Sequence, residues 1–172
     1  MGNKMEIRKL TGEDALKYLQ LRLEALQQNP EAFATTYEEA IVRSNPLERT
    51  ATNLDATGSS TLGAFIDNEL VGVMTIAGEG APKLRHRVNL LAVYVTPRVR
   101  GQQIGNALLG ATIEHAKTWP GVEKMNLTVV ATNTPAIRLY EKAGFKKFGL
   151  EHHAMKTDYH KYVDELYMSL EW

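Results

Sequence analysis

The sequence predicts an α/β fold: a single domain, residues 1–172, with a mixed central sheet, helices ahead of it and one βαβ crossover inside it. Three observations carry this prediction. Leu16, Leu19, Leu23 and Leu26 recur at helical spacing near the start of the chain. From Thr61 the pattern changes to short apolar runs separated by turn residues, as in a strand hairpin. Between Leu90 and Lys117 a β-branched run passes through a loop of proline and glycine into an apolar-faced helix, and a second apolar run follows at Met125 to Val130.

In chain order, Met5 to Leu10 alternates weakly and opens the fold as a strand. Thr11 and Asp14 stand three apart, as in a capping box, before the leucine-striped helix. Asn29-Pro30 ends that helix, and Pro30 starts a second one running through Phe33 and Tyr37 towards Arg43. Leu47 to Leu54 reads as a short third helix. Leu62 to Ile66 and Leu70 to Ile76 form a hairpin about Asp67-Asn68-Glu69, and Ala77 to Leu84 is a loop. Leu90 to Val95 is a strand buried on both faces, stopped at Thr96-Pro97 because proline gives no N–H to a ladder. Leu108, Leu109, Ile113 and Ala116 are the apolar side of the next helix, closed at Trp119-Pro120-Gly121. After the Met125 strand, Thr132 to Pro135 opens a helix that Gly144 stops. Phe145 to Glu151 and Tyr159 to Leu170 are two final strands about a polar turn carrying two histidines.

Composition narrows the function. Twenty basic and twenty acidic residues cancel, which offers nothing to nucleic acid or an anionic membrane. No cysteine is present, so a disulfide framework, a thiol nucleophile and a cysteine-ligated metal are excluded. The stretch from Met1 to Glu6 lacks the apolar run of a leader, and Glu6 stands where a myristoylation signal needs Ser or Thr. A cytoplasmic protein is expected.

Two segments carry chemistry. In the loop Arg98 to Gly105, Gly101 and Gly105 let backbone approach a ligand closely, and the helix that follows offers unpaired N–H groups and partial positive charge. With Arg98 and Arg100 that suits a phosphate or pyrophosphate. It also suits an ordinary strand–loop–helix link with solvated arginines. The second segment is Asn133-Thr134-Pro135-Ala136-Ile137-Arg138-Leu139-Tyr140-Glu141-Lys142-Ala143-Gly144-Phe145. Here Thr132 or Asn133 caps a helix, Pro135 fits its first turn and Gly144 its end. Tyr140 stands one turn from Ala136, as either a core aromatic or a functional phenol.

The wording of both segments is similar to the GNAT acetyltransferase superfamily. V-x-P-x-x-R-G-x-x-I-G-x-x-L-L resembles its acetyl-CoA motif, with Gln103 where the family usually has a glycine. N-x-x-A-x-x-L-Y-x-x-x-G-F matches its other signature at every defined position. Less specific likeness extends to Leu21–Leu26, Pro30–Phe33, Tyr37–Glu39 and Tyr162–Met168. The resemblance implies a GNAT-like α/β domain whose βαβ crossover binds acetyl-CoA, and an N-acetyltransferase that moves its acetyl group to a primary amine through a tetrahedral intermediate.

By the same resemblance, Arg100, Gly101, Gln102, Gln103, Ile104, Gly105 and Asn106 cradle the pyrophosphate. Backbone amides at Val93, Tyr94 and Val95 hold the thioester and its oxyanion, Asn133 contacts CoA, and Tyr140 is the catalytic acid at the sulfur. Some members carry a glutamate base where this chain has Asn89. Glu79, His86, Glu38 and Glu39 are the alternatives, or a water relay, or an amine that arrives deprotonated. The acceptor is a small-molecule amine or a protein N-terminal amine, and the final strands pair in a homodimer. No metal is expected. His152 and His153 point to opposite faces of a strand, His115 lies exposed off its helix's apolar stripe, and His160 is on the surface or near the acceptor. The rival reading is a non-catalytic acyl-CoA-binding or regulatory domain of the same fold. A nucleotide-binding Rossmann unit is disfavoured, because no G-x-G-x-x-G follows the first strand.

Overall fold

A computed structural model describes residues 4–172; residues 1–3, the first part of the stretch read above as lacking a leader, lie outside it. The strands are β1 (Met5–Lys9), β2 (Ser59–Ile66), β3 (Glu69–Gly78), β4 (Arg87–Val95), β5 (Lys124–Val130), β6 (Lys146–Asp158) and β7 (Lys161–Glu171). The α-helices are α1 (Ala15–Gln28), α2 (Tyr37–Ile41), α3 (Pro46–Asp55), α4 (Ile104–Lys117) and α5 (Thr134–Ala143). One seven-stranded sheet runs β1-β2-β3-β4-β5-β7-β6, and only β4 and β5 are parallel. This is the mixed sheet with one crossover, β4-α4-β5.

The two faces of the sheet are built differently. On one, Met74, Ile76, Val88, Leu90 and Met125 pack against Leu108 and Leu109 of α4 and Tyr140 of α5. On the other, Leu70, Val73, Phe65 and Tyr94 meet Ala15, Leu21 and Ala25 of α1 and Leu54 of α3. Alanines on the buried face of α1 let the helix lie close to the strands. That turns most of the leucine stripe aside: Leu26 is buried, but Leu16 is 56% exposed, and Leu19 and Leu23 line a cavity instead of the core. Thr11 donates its N–H to Asp14 Oδ2 at 2.8 Å, and Asp14 also takes Arg8, so α1 starts where the capping pair places it.

Several expectations need correction. The helix expected from Pro30 towards Arg43 is a single 3₁₀ turn, Pro30–Ala32, then extended chain at Phe33, then five residues of α2. The β-branched Thr35-Thr36 pair disfavours a continuous helix. Thr36 caps α2, its Oγ1 accepting from Glu39 N–H at 3.1 Å. His152 and His153 lie within β6 instead of at its turn, which is Tyr159-His160. They also do not face apart. His153 has φ 52° at an irregularity in the β6–β7 register, so the rings stack 3.7 Å apart. His115 is half-buried, edge-on to Trp119, and burial pulls its pKa down. Among the described residues no group of three His, Asp or Glu could hold a metal, and no helix is long and apolar enough to cross a membrane.

Candidate active site

Strand β4 creates the site by parting from β5 while it stays paired with β3. It pairs with β5 only from Arg87 to Asn89, whereas β5 stays paired with β7 from Lys124 to Val130. Beyond Asn89 the two parallel strands separate, so the β5-facing peptide groups of Leu90 to Val95 have no strand partner. Against β3 the register slips between Val73 and Thr75, and Ala92 takes φ 54°. A non-glycine residue in that region costs roughly 1–2 kcal/mol. Such a bulge re-aims the strand. It also shows that β4 is not buried on both faces as expected, since Leu91 is 44% exposed.

The wedge between β4 and β5 is a cleft of about 930 Å³. Val93, Tyr94 and Val95 form one wall and Val130, Thr132, Asn133 and Ala136 the other, with Gln28 to Ala32 from the end of α1 at its rim. Its mouth is the loop into α4: Arg100, Gly101, Gln103, Ile104, Gly105 and Asn106. Gly101 has φ 85° with open space where a side chain would stand, so the backbone turns there without strain. At Gly105 an added Cβ would meet only Leu139 at 3.6 Å, an ordinary contact. Protein packing therefore does not demand that glycine. Gln103 caps α4 with φ 60°, the conformation for which glycine is favoured, and accepts a hydrogen bond from Asn106 Nδ2. The N–H groups of Ile104, Gly105 and Asn106 have no backbone acceptor. With the dipole of a 14-residue helix behind them, they could hold an anion.

Most of the residues singled out in sequence converge here, but not all. Gln102 lies in the same loop without lining the cleft. Arg98 points away from it, in ion pairs with Glu69 and, at 3.7 Å, Glu24. Arg100 thus stands as the loop's cleft-lining arginine. Asn133 spends its Oδ1 on capping α5, accepting from Ala136 N–H at 3.3 Å, and keeps its amide NH₂ free. Tyr140 is 4% exposed, edge-on to Phe145 at 5.7 Å. Burial pushes its phenol up to about 12. Tyr140 is not itself among the residues that line the cleft; it lies one turn beyond the cleft-lining Ala136 and next to Leu139.

The four base candidates do not reach the cleft. Glu39 is occupied at the α2 cap, accepting from Thr36 N–H at 3.0 Å; Glu38 and His86 are exposed. Glu79 accepts from Asn89 Nδ2 at 3.0 Å and lies 3.5 Å from Arg87. The Asn89 hydrogen bond and the Arg87 charge hold that carboxylate below its usual range.

What sequence reasoning missed lies on the other face of the bulge. A second cavity of about 300 Å³ opens at Leu91 and Ala92. Tyr18, Arg22 and Thr75 contribute to its floor, and Arg43 and Arg49 reach it from α3 and the segment before it. Arg22 stacks on Phe33, 4.6 Å from the ring centroid. Nothing in the spacing of these residues announces a pocket, because six separate segments supply it. Nearby, the Tyr94 hydroxyl donates to Glu24 Oε2 at 2.7 Å, and burial first, then Glu24, pushes that phenol up.

Comparison with known proteins accords with this geometry. The chain is 33% identical over 116 residues to the L-amino acid N-acetyltransferase AaaT of Escherichia coli, a match spanning 67% of this chain and 70% of that one. An acetyltransferase of the GNAT family from Streptococcus pneumoniae superposes with a TM-score of 0.87 at 21% identity, covering 98% of this chain and all of that one. The acetyltransferase yncA of Salmonella typhimurium, solved with its cofactor acetyl-CoA, superposes at 0.80 and 22% identity over 98% of this chain and 94% of that one. Residues 20–145, from mid-α1 through the splayed strands to the end of α5, match the acetyltransferase (GNAT) family, and the chain belongs to it.

Proposed function

We propose that the protein is an N-acetyltransferase that moves the acetyl group of acetyl-CoA to a primary amine by direct attack. One observation carries the proposal: the bulged strand β4 presents unpaired peptide groups at the head of a cleft whose mouth is an anion-binding helix N-terminus. The pyrophosphate of acetyl-CoA lies on the N–H groups from Gln103 to Asn106, beside Gly101 and Arg100, with Gln102 completing the loop. The pantetheine follows the wedge past Asn133, and the thioester lies along Val93, Tyr94 and Val95. Backbone N–H groups there meet the oxygen that becomes negative when the amine adds to the carbonyl, where a preorganised donor has its largest effect. Collapse of the tetrahedral intermediate breaks the C–S bond and leaves charge on sulfur.

Tyr140 acts at that sulfur. A phenol held near 12 remains protonated at neutral pH, so it donates a hydrogen bond as the thiolate forms. Complete transfer from such a phenol to a thiolate near pKa 8.5 is uphill by about 5 kcal/mol. The net proton therefore comes from the ammonium of the intermediate, and Tyr140 stabilises the leaving group. Glu38, Glu39, Glu79 and His86 do not line the cleft and its one carboxylate, Glu31, stands at the rim, which supports an amine that enters deprotonated or loses its proton to water. The exposed Phe148 and Leu150 on the long edge strand β6 support pairing of two copies through the last strands.

The test is thiol release from acetyl-CoA against a panel of primary amines, together with calorimetry of CoA. Turnover with at least one amine is expected. CoA binding with no turnover on the whole panel would favour the non-catalytic acyl-CoA-binding reading. Failure to bind CoA would remove both.

A further inference from the structure

The cavity on the α1 side of β4 has an electrostatic character that acetyl transfer alone does not require. Arg22, Arg43 and Arg49 line it, and no aspartate or glutamate does. Among the described residues none of the three forms an ion pair or a side-chain hydrogen bond. Arg22 is the deepest of them: it is half-buried, its Cζ lies 4.6 Å from the Phe33 ring centroid, and its charge is disfavoured by burial and by Arg43. With no partner among the described residues, its N–H groups are available to a planar, bidentate acceptor. The arginine at comparable depth, Arg87, is matched with Glu79, and even the more exposed Arg8 and Arg98 have Asp14 and Glu69. Three unmatched cations facing one small cavity signal an anion that enters with a ligand.

The remaining lining defines the rest of that ligand. Leu19, Leu23, Leu26, Leu54 and Leu91 give the cavity apolar walls. Its volume, about 300 Å³, is at the low end for small-molecule sites. The occupant is therefore small, with one anionic end and an apolar body. Because the cavity opens at Leu91 and Ala92, while the other cleft begins at Val93, it must also bring its nucleophile to the bulge between them.

We propose that this pocket takes the carboxylate of a free α-amino acid with an apolar side chain, bound edge-on by Arg22 in the field of Arg43 and Arg49. The α-amino group, two bonds from the carboxylate carbon, is thereby held at the bulge for acetylation. This rests on the acetyl-transfer reading above and adds the acceptor class to it. A peptide N-terminus, whose first carbonyl is an uncharged amide, lacks the group that the arginines call for.

The experiment compares the apolar L-amino acids (leucine, methionine, phenylalanine, tryptophan) with their carboxamides as acceptors, in the wild type and in Arg22→Gln and Arg22→Lys. The free acids are expected to have kcat/KM at least tenfold above their amides, mostly through KM. In Arg22→Gln the acid-to-amide ratio falls at least tenfold, while the Kd for CoA, read by calorimetry, verifies that the fold and donor cleft persist. Arg22→Lys restores part of the ratio. Amides as good as the acids would overturn the carboxylate assignment and leave acetyl transfer standing. If nothing is turned over, the acetyl-transfer reading fails by itself. Calorimetry of N-acetyl-L-phenylalanine against its amide, in wild type and Arg22→Gln, then decides the anion site. Equal affinities in that titration would likewise overturn it.

Discussion

The two sides of the β4 bulge offer different physics to a ligand. On the β5 side the donors are main-chain N–H groups at a helix N-terminus and along a splayed strand, and the side chains matter chiefly by being small or by adopting positive φ. On the α1 side the recognition elements are arginine side chains brought from α1, α3 and the chain before α3 against one face of a strand. Main-chain recognition is set by local sequence, so it is carried in a contiguous motif. Side-chain recognition is set by packing, and can be altered at one residue without disturbing the other side.

This contrast can be tested from the largest effect downward. Ala92→Val acts on both sides, because a β-branched residue is an outlier at φ 54°. The bulge shifts, and turnover is expected to fall about 10²–10³-fold, the loss seen when an oxyanion donor is removed. Acids and amides should lose alike, and a spared amide rate would show that the bulge is not shared. Tyr140→Phe is confined to the β5 side. Its kcat should fall about 10²-fold with the Kd for CoA within about twofold, and an unchanged kcat would take Tyr140 out of the mechanism.

Arg100→Ala should raise KM for acetyl-CoA about fivefold, as expected for one exposed charge-assisted contact of ~1 kcal/mol, and leave the acid-to-amide ratio alone. A changed ratio would mean the two sides are coupled. Gln103→Gly is the smallest change. It removes the positive-φ penalty but adds backbone freedom to the unfolded chain, so CoA affinity should stay within about threefold.

The pH profile separates the roles further. Tyr140 must be protonated to donate, and protonation is lost as pH rises through its pKa. Because burial places that at about 12, no alkaline fall should be seen up to pH 10, where an ordinary phenol is already half ionised. With no protein base, kcat/KM should rise with pH until the acceptor's own amine is deprotonated. An alkaline limb near pH 9–10 that Tyr140→Phe abolishes would contradict the burial argument.

By itself the sequence determined the order of most elements and the loop and helix ends on the main-chain side of the site, but not the Ala92 bulge or the parting of β4 from β5. The proline after β4, Gly101, Gly105, the cap at Asn133 and Gly144 act over a few residues, and local chemistry decides φ, helix starts and helix ends. It also determined that Tyr140 sits one turn from Ala136. The tertiary structure alone decided which way α1 turns. Of Leu16, Leu19, Leu23 and Leu26 only Leu26 is buried; the sheet takes the face of Ala15, Leu21 and Ala25, whose two alanines permit closer packing. That rotation carries Arg22 over the bulge. Likewise Arg98, sequence neighbour of the phosphate loop, is drawn off by Glu69, a partner 29 residues away that no local pattern reveals. Local geometry is written in adjacent residues; the pairing of charges depends on which distant segments the core brings together.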